Sequence, residues 1–579
     1  MKKLLALLLA LALCLGAASA LAETPVTPIS SLDTNNYTID PANAKGSQYY
    51  GLYSIDLTME GGAVRTLYQY VPTSWVYRQP EVAVAVPSGA DPVEFFESTG
   101  WKAAAEEGAF AVILMVPAEG GWQADESEYA YAAFDYMDGR KYLQTQDSAF
   151  YMVGYGDGAN VVMAHAVTNS ELFAGFAALG VDNFDTAILE QGRTEESGAK
   201  GVMKSEVAVP MWIAADEKTA AVEELIEYWK NANECADDYV SNSYADEIYS
   251  YPEYLAVTNE ITYAHVSKVY VSLGKDVTAP EFTNNLWYNF LRRVRRQDSG
   301  AINALRYFAS NDELGMDHQT IEIDGIVRHF WIYTPSAVAE GKKTNVPVVF
   351  VAHGGGGSGE EFPARSGWTQ TAEERGFIVV YLSGSRSGQF KAGSTWSAND
   401  IPYFQAAREY VLANTAADVT RLYFTGHSQG SSMTYNVAYL VPELIAAACG
   451  NDGIVYQAKL GGEPKTDIVM PFMLNVGDQD KYFVEGGMNY GQVPEIVAEW
   501  CSRYGIDAAA SPFHFDDGRN YGTDYRNSQG IVVVREQWNA DKIHAMVPED
   551  TYTIYDFLCN YSRGEDGTSY YMGVAITLE

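Results

Sequence analysis

The chain has 579 residues, 47% of them apolar and 20% charged, a globular balance that excludes an intrinsically disordered protein and is too long for one ordinary core. Lysine and arginine number 38 against 75 aspartates and glutamates, a net charge of -37. A surface this acidic is repelled by nucleic acid and by anionic membranes, which leaves neutral polymers, small molecules or cations as partners.

The first 22 residues read as a secretory signal peptide. Lys2 and Lys3 supply the positive end, residues 4–15 an apolar run too short to span a bilayer, and Ala20-Leu21-Ala22 a small-residue cleavage site. Cys14 follows Leu13, which is too bulky for a lipidation site. No later stretch has the length and apolarity of a membrane span, so no stable anchor is expected, and the mature chain is expected outside the cell. Residues 23–46, rich in Thr, Pro and Asn, are expected to form a loose leader. The 41 tyrosines fit half-buried packing or surfaces that stack on sugars and aromatic groups.

From there the chain is written twice. Gly62-Ala63-Val64-Arg65, running to Tyr70 and Pro72, returns as Gly325-Ile326-Val327-Arg328, running to Tyr333 and Pro335. Thr99-Gly100-Trp101 returns as Ser366-Gly367-Trp368, and Gly154-Tyr155-Gly156-Asp157-Gly158 as Gly426-His427-Ser428-Gln429-Gly430. Val209-Pro210-Met211 matches Met470-Pro471-Phe472, and Trp287-Tyr288-Asn289-Phe290-Leu291 resembles Ile554-Tyr555-Asp556-Phe557-Leu558. The order is kept and the offset drifts slowly, as small loop insertions dictate. Two related domains are therefore expected, 47–297 and 316–579, joined by a polar linker over 298–315.

In the second half, residues 346–352 and 377–381 are continuous apolar runs, the mark of strands buried on both faces, and the largely apolar runs 421–425, 470–474 and 531–534 follow. Helical stretches such as 406–414 and 494–504 lie between them. This alternation predicts an α/β fold in each half, a mostly parallel sheet flanked by helices.

The run 421–425 leads straight into Gly426-His427-Ser428-Gln429-Gly430, and a helical stretch follows. A strand, G-x-S-x-G and a helix in that order form a nucleophile elbow, with glycines needed around a turn this tight. A serine hydroxyl needs a base, and the order in such folds is serine, acid, histidine. His544 lies between the last apolar run and the last helix, where the base belongs; His514 precedes that run and reads as a surface histidine. The acid belongs after the run 470–474, where Asp480 is preferred and Asp478 is the alternative. The oxyanion donors are expected to be the Gln429 amide and the amides of Gly354 and Gly355, in the loop His353-Gly354-Gly355-Gly356-Gly357 that follows the first buried strand. That loop lacks the Gly-Lys-Ser/Thr ending of a phosphate cradle. His353, His427 and Trp396 are candidate walls of the substrate pocket, with core packing the alternative for Trp396. No metal or cofactor is needed for this chemistry.

These residues resemble a known family. Asp324-Gly325-Ile326-Val327-Arg328, Val351-Ala352-His353-Gly354-Gly355, Trp396 with Asp400, the Ser428 elbow, and Gly477 with Asp480 are similar to the polyhydroxybutyrate depolymerase-like esterases, which include feruloyl and acetylxylan esterases. The resemblance covers about 320–560. It implies an α/β-hydrolase fold, a Ser428–His544–Asp480 triad, and an ester substrate, with feruloyl or acetyl esters of plant polysaccharide preferred and a polyester the alternative. Two departures stand out. Gly355 occupies a position where the family often has cysteine, and His544 sits in Lys542-Ile543-His544-Ala545-Met546-Val547-Pro548 rather than in a Gly-rich turn before Trp-Pro.

The first half has lost these groups. Gly156 stands where the serine belongs, Val86-Pro87-Ser88 replaces the His-Gly run, and no histidine follows at the base position. A degenerate hydrolase-like domain is expected there, serving as scaffold, cleft wall or polymer-binding surface. A protein without catalysis, binding polysaccharide through both halves, is the reading from another class. Of Cys235, Cys449, Cys501 and Cys559, a Cys501–Cys559 disulfide and free thiols are the alternatives.

Overall fold

The computed structural model describes residues 26–28 and 49–577, apart from 60, 76–78, 124–125, 141–142, 144, 182–183, 199–200, 252–265, 297–304, 387–393, 455–461, 466 and 510–511. The expected signal peptide lies outside the described residues, as do most of the leader and the first part of the linker. The described residues divide into two compact units, the change coming between Arg295 and Arg296. None of their helices is long and apolar enough to cross a membrane.

The first unit contains eleven strands: β1 (Val26–Pro28), β2 (Gly51–Thr58), β3 (Val64–Val71), β4 (Glu81–Ala85), β5 (Ala111–Met115), β6 (Phe150–Tyr155), β7 (Gly175–Leu179), β8 (Met211–Ala215), β9 (Tyr239–Val240), β10 (Glu247–Tyr249) and β11 (Val269–Leu273). They form one sheet in the order β1-β2-β3-β5-β4-β6-β7-β8-β11-β10-β9. The leader is thus not wholly loose, since β1 pairs with β2. Val294–Arg296 (β12) and Leu305–Tyr307 (β13) are short strands near the division.

In the second unit the main strands are β14 (Asp317–Ile323), β15 (Ile326–Tyr333), β16 (Val346–Ala352) and β17 (Ile378–Leu382). After a two-residue ribbon, β18 (Ser385–Arg386) with β19 (Ser394–Thr395), come β20 (Ala417–His427), β21 (Ala447–Asn451), β22 (Phe472–Gly477), β23 (Pro512–Asp516), β24 (Asn520–Arg526) and β25 (Val532–Asn539). The sheet order is β14-β15-β17-β16-β20-β21-β22-β25-β24-β23. From β17 to β25 every pairing is parallel, and an antiparallel pair finishes each edge. Strand for strand, this is the order of β2 to β11. Both units are therefore mostly parallel sheets flanked by helices, an α/β-hydrolase topology in tandem.

The strands form where continuous apolar runs can be covered on both faces. All seven residues of β16 are buried. Pro347 cannot donate to a ladder, and the β16–β20 register shifts at that point, between Val346 and Val348. β21, Ala-Ala-Cys-Gly-Asn, is a strand that apolar patterning does not single out. Its small residues let the helix Gln429–Leu440 approach: a Cβ on Gly450 would lie 2.6 Å from Ser431 Oγ and 2.9 Å from the Tyr435 ring. The repeated Gly-Trp pair has a structural cause too. Gly100 and Gly367 both adopt positive φ, and a Cβ there would meet Pro280 at 2.8 Å and Pro548 at 2.5 Å. Trp101 and Trp368 follow, fully buried, each indole removing roughly 150–250 Å² from water. The cysteines resolve the other way from a disulfide: Cys235, Cys449, Cys501 and Cys559 are all free thiols, with Cys501 buried and Cys559 exposed.

Candidate active site

The corner at Ser428 is built by close backbone packing. A Cβ on Gly426 would sit 2.3 Å from Gly430 O, and one on Gly430 would sit 2.1 Å from Ala352 O, so only glycine fits at either place. Ser428 itself takes φ 55° and ψ -113°, a conformation that costs an L-residue on the order of 1–3 kcal/mol and needs the surroundings to hold it. Its amide donates to Asn451 O at 2.9 Å. The helix Gln429–Leu440 starts at the next residue, which aims the positive end of its dipole at the corner.

Two other strand ends complete the constellation. His544 lies between β25 and the helix Pro548–Leu558, and its Nε2 is 2.9 Å from Ser428 Oγ. Its Nδ1 is 2.7 Å from Asp480 Oδ2. Asp480 is fully buried, and its other oxygen accepts from the Tyr482 amide at 2.9 Å. The Tyr482 ring meets the imidazole edge-on, centroids 4.5 Å apart. Asp478, the alternative acid, instead accepts from Tyr521 Oη at 3.2 Å. His514 lies on β23, paired with Thr523 Oγ1 at 3.0 Å. The acid and base loops are packed backbone to backbone: Gln479 N donates to Lys542 O at 3.0 Å.

The glycine loop follows β16 and lies against the corner. A Cβ on Gly354 would be 3.6 Å from Ser428 Cβ, and one on Gly355 3.0 Å from Gln429 Cδ. Thr395 Oγ1 donates to the Gln429 side chain. His353 and Trp396 are both tied to backbone near the corner. His353 is buried; its Nε2 accepts from the Gly384 amide at 3.0 Å, and Trp396 Nε1 donates to its carbonyl at 2.8 Å. Each side chain finds a polar partner in backbone, and the two rings pack together with centroids 5.0 Å apart. His427 packs on His544, ring centroids 4.9 Å apart. Burial first, then the charges of His544, Lys542 and Arg365, hold its imidazole well below the usual histidine range.

Apolar patterning gives no sign of the charged cluster beneath this corner. Lys542, almost fully buried, is 2.8 Å from Asp452 Oδ2 and 2.7 Å from Asp550 Oδ2. Burial pushes the Asp452 carboxyl up to about 6, against the pull of Lys542. The only sequence signal is a lysine two places before the base, in a turn that otherwise reads as surface.

The first unit has the same corner, with glycine where the second has Ser428. Gly156 takes φ 56° and ψ -127°, and its amide donates to Leu179 O at 2.8 Å. The supporting frame is kept as well. Trp122 Nε1 donates to Val86 O as Trp396 does to His353 O. Arg65 pairs with Glu126 and lies over the Tyr129 ring, as Arg328 pairs with Asp400 and lies over Tyr403. The donors of the glycine loop, however, are changed. The β-ladders align Ala85 with Ala352, which sets Pro87, with no N–H, at the place of Gly354. The Ser88 amide is bound by Asp157 Oδ1 at 2.8 Å.

No protein-family model matches the chain. A stretch of 147 residues is 31% identical to feruloyl esterase B of Talaromyces funiculosus, 24% of this chain and 40% of that protein. A probable acetylxylan esterase A of Neosartorya fischeri is 28% identical over 167 residues, 28% of this chain and 41% of that one. The chain thus spans about two fifths of the length of the curated relatives it matches. Among solved structures, an acetyl xylan esterase from Aspergillus awamori aligns at 17% identity over 42% of this chain and 99% of that chain, with a TM-score of 0.33. The sheets of both units have an α/β-hydrolase topology, and about a quarter of the chain is similar in sequence to feruloyl and acetylxylan esterases.

Proposed function

We propose that the second unit is a serine carboxylesterase and that Ser428 is its nucleophile. The observation that carries this reading is the continuous hydrogen-bond chain Ser428 Oγ–His544 Nε2 at 2.9 Å and His544 Nδ1–Asp480 Oδ2 at 2.7 Å, set on a strained corner at the head of a helix. Ser428 attacks the ester carbonyl while His544 Nε2 takes the hydroxyl proton. Buried Asp480 accepts from Nδ1, keeps the ring in the right tautomer and stabilises the imidazolium. The amides of Gln429, Gly354 and Gly355 are the donors assigned to the tetrahedral oxyanion, where one such donor contributes on the order of 10²–10³ in rate. His544 then gives its proton to the departing alcohol, and water, activated by the same ring, releases the acid.

The substrates we assign are acetyl or feruloyl esters on plant polysaccharide, because the relatives matched in sequence carry those names and the acidic surface suits an uncharged polymer. An exported enzyme fits the Lys2-Lys3 and apolar opening of the chain. The first unit, with its corner empty and its amide filled by Asp157, has the role of a non-catalytic scaffold. One preparation assayed for release of acetate, ferulate and 3-hydroxybutyrate, with Ser428→Ala beside it, tests the reading. Acetate or ferulate release abolished by the substitution supports it. Release of 3-hydroxybutyrate alone moves the substrate to polyesters, and activity equal in both proteins rejects Ser428.

A further inference from the structure

Asp452 lies one residue beyond β21, fully buried, with φ 51°. Its carboxylate binds the loops that bear Asp480 and His544 and lies beside the residue that precedes Ser428. Oδ1 accepts from the Gly477 amide at 2.9 Å, three residues before Asp480. Oδ2 is 2.8 Å from Lys542 Nζ, two residues before His544. The same oxygen is 3.6 Å from His427 Nε2, on the residue before Ser428. Its own amide donates to Asn475 O at 2.8 Å. The adjoining Gly453 packs so closely on the corner that a Cβ there would be 2.5 Å from Ser428 O.

Lys542 completes the tie. Besides Asp452 it contacts Asp550 at 2.7 Å and Asn451 Oδ1 at 3.0 Å, and Arg519 reaches the other oxygen of Asp550 at 3.3 Å. Two carboxylates thus face two cations. Buried charges are costly unless paired in this way, and apolar packing of the same volume would serve stability as well or better. A charged cluster kept at this depth therefore points to a need for fixed geometry.

Resting on the esterase reading above, we infer that Asp452 is a positioning residue: with Lys542 as its key, it locks the nucleophile, acid and base loops into one register. It touches neither substrate nor reacting atoms and acts through where it holds His544 and Asp480. A displacement of about 1 Å in such a constellation lowers turnover by roughly 10²-fold.

The test uses the full-length chain and p-nitrophenyl acetate. Asp452→Asn keeps an acceptor for the Gly477 amide and loses the tie to Lys542. In folded protein, checked by circular dichroism and thermal melting, kcat is expected to fall at least about tenfold with KM within about twofold of wild type. Lys542→Gln falls likewise, and the double variant falls by less than the product of the two single effects, because the Asp452–Lys542 contact is lost in both. A purely structural role would lower the melting temperature and leave kcat unchanged; folded Asp452→Asn with kcat within about twofold of wild type overturns the inference. Should Asp452→Asn alone not fold, the charge-balanced Asp452→Asn/Lys542→Gln protein takes its place, with the same two outcomes in kcat. Ser428→Ala separates the two readings: if wild type and Ser428→Ala hydrolyse alike, the esterase reading fails, whereas wild-type turnover with an unchanged Asp452→Asn removes only the positioning role.

Discussion

Gly430→Ala probes the corner most sharply. The added Cβ would lie 2.1 Å from Ala352 O and 2.6 Å from His353 O, so the two segments must part by about 1 Å to reach ordinary contact. Neither side yields freely. Ala352 is pinned by Leu382 on one side and Gly426 on the other, and the helix that starts at Gln429 is packed into the core. Overpacking of this kind costs about 1–3 kcal/mol, and each kcal/mol lowers the melting transition by roughly 2–4 °C in a unit of this size. The larger effect falls on activity. The parts forced apart are the corner and the root of the glycine loop, and about 1 Å there lowers kcat roughly 10²-fold. Gly158→Ala is the control: its Cβ would meet Ala85 O at 2.8 Å at the matching corner of the first unit, so the melt falls and kcat holds. Thermal melting and ester turnover measured on both variants decide. Gly430→Ala with kcat within about twofold of wild type refutes the reasoning.

Three further substitutions follow from the first unit. Burial alone holds the His165 imidazole down to about 4, against 6.5 when exposed. Because the folded value is the lower one, the contribution is complete above pH 6.5 and is lost as pH falls toward 4, about 3 kcal/mol in all; His165→Leu should flatten the urea-midpoint slope across that window. Gly156→Ser should not create a second reactive serine, because Pro87 offers no amide and Asp157 holds that of Ser88; a phosphonate adduct at residue 156 by mass spectrometry contradicts this. Gly139→Ala, on the helix Ser127–Gly139 with nothing within 4 Å of the new methyl, should stabilise by about 0.5–1 kcal/mol, seen as a raised melting temperature.

What can be read from the sequence is what is local along the chain. Residues 346–352 form β16 without a shift of boundary because seven apolar residues in a row have no solvated face. The Gly-Trp repeats are legible because a positive φ against a proline leaves glycine no substitute. Ser428, His544 and Asp480 can be named from their order after successive strands, and the fold brings them within hydrogen-bond distance. β21 escapes apolar patterning because its small residues answer to a helix pressed on it, not to a β pattern. β23 and β24 escape it because their polar edges do not look like buried strands. The backbone partners of His353 and Trp396 are not legible in the sequence, because imidazole and indole give no sign of which carbonyl or amide they will meet. Asp452 and Lys542, 90 residues apart in the chain, have a shared purpose only in three dimensions.

Ser428, as proposed above, is the single nucleophile of a chain with two hydrolase folds. Wild-type protein treated with a fluorophosphonate and digested should show one adduct, on the peptide that contains Ser428, and Ser428→Ala should show none. No adduct on the wild type, or one that persists in Ser428→Ala, contradicts the claim.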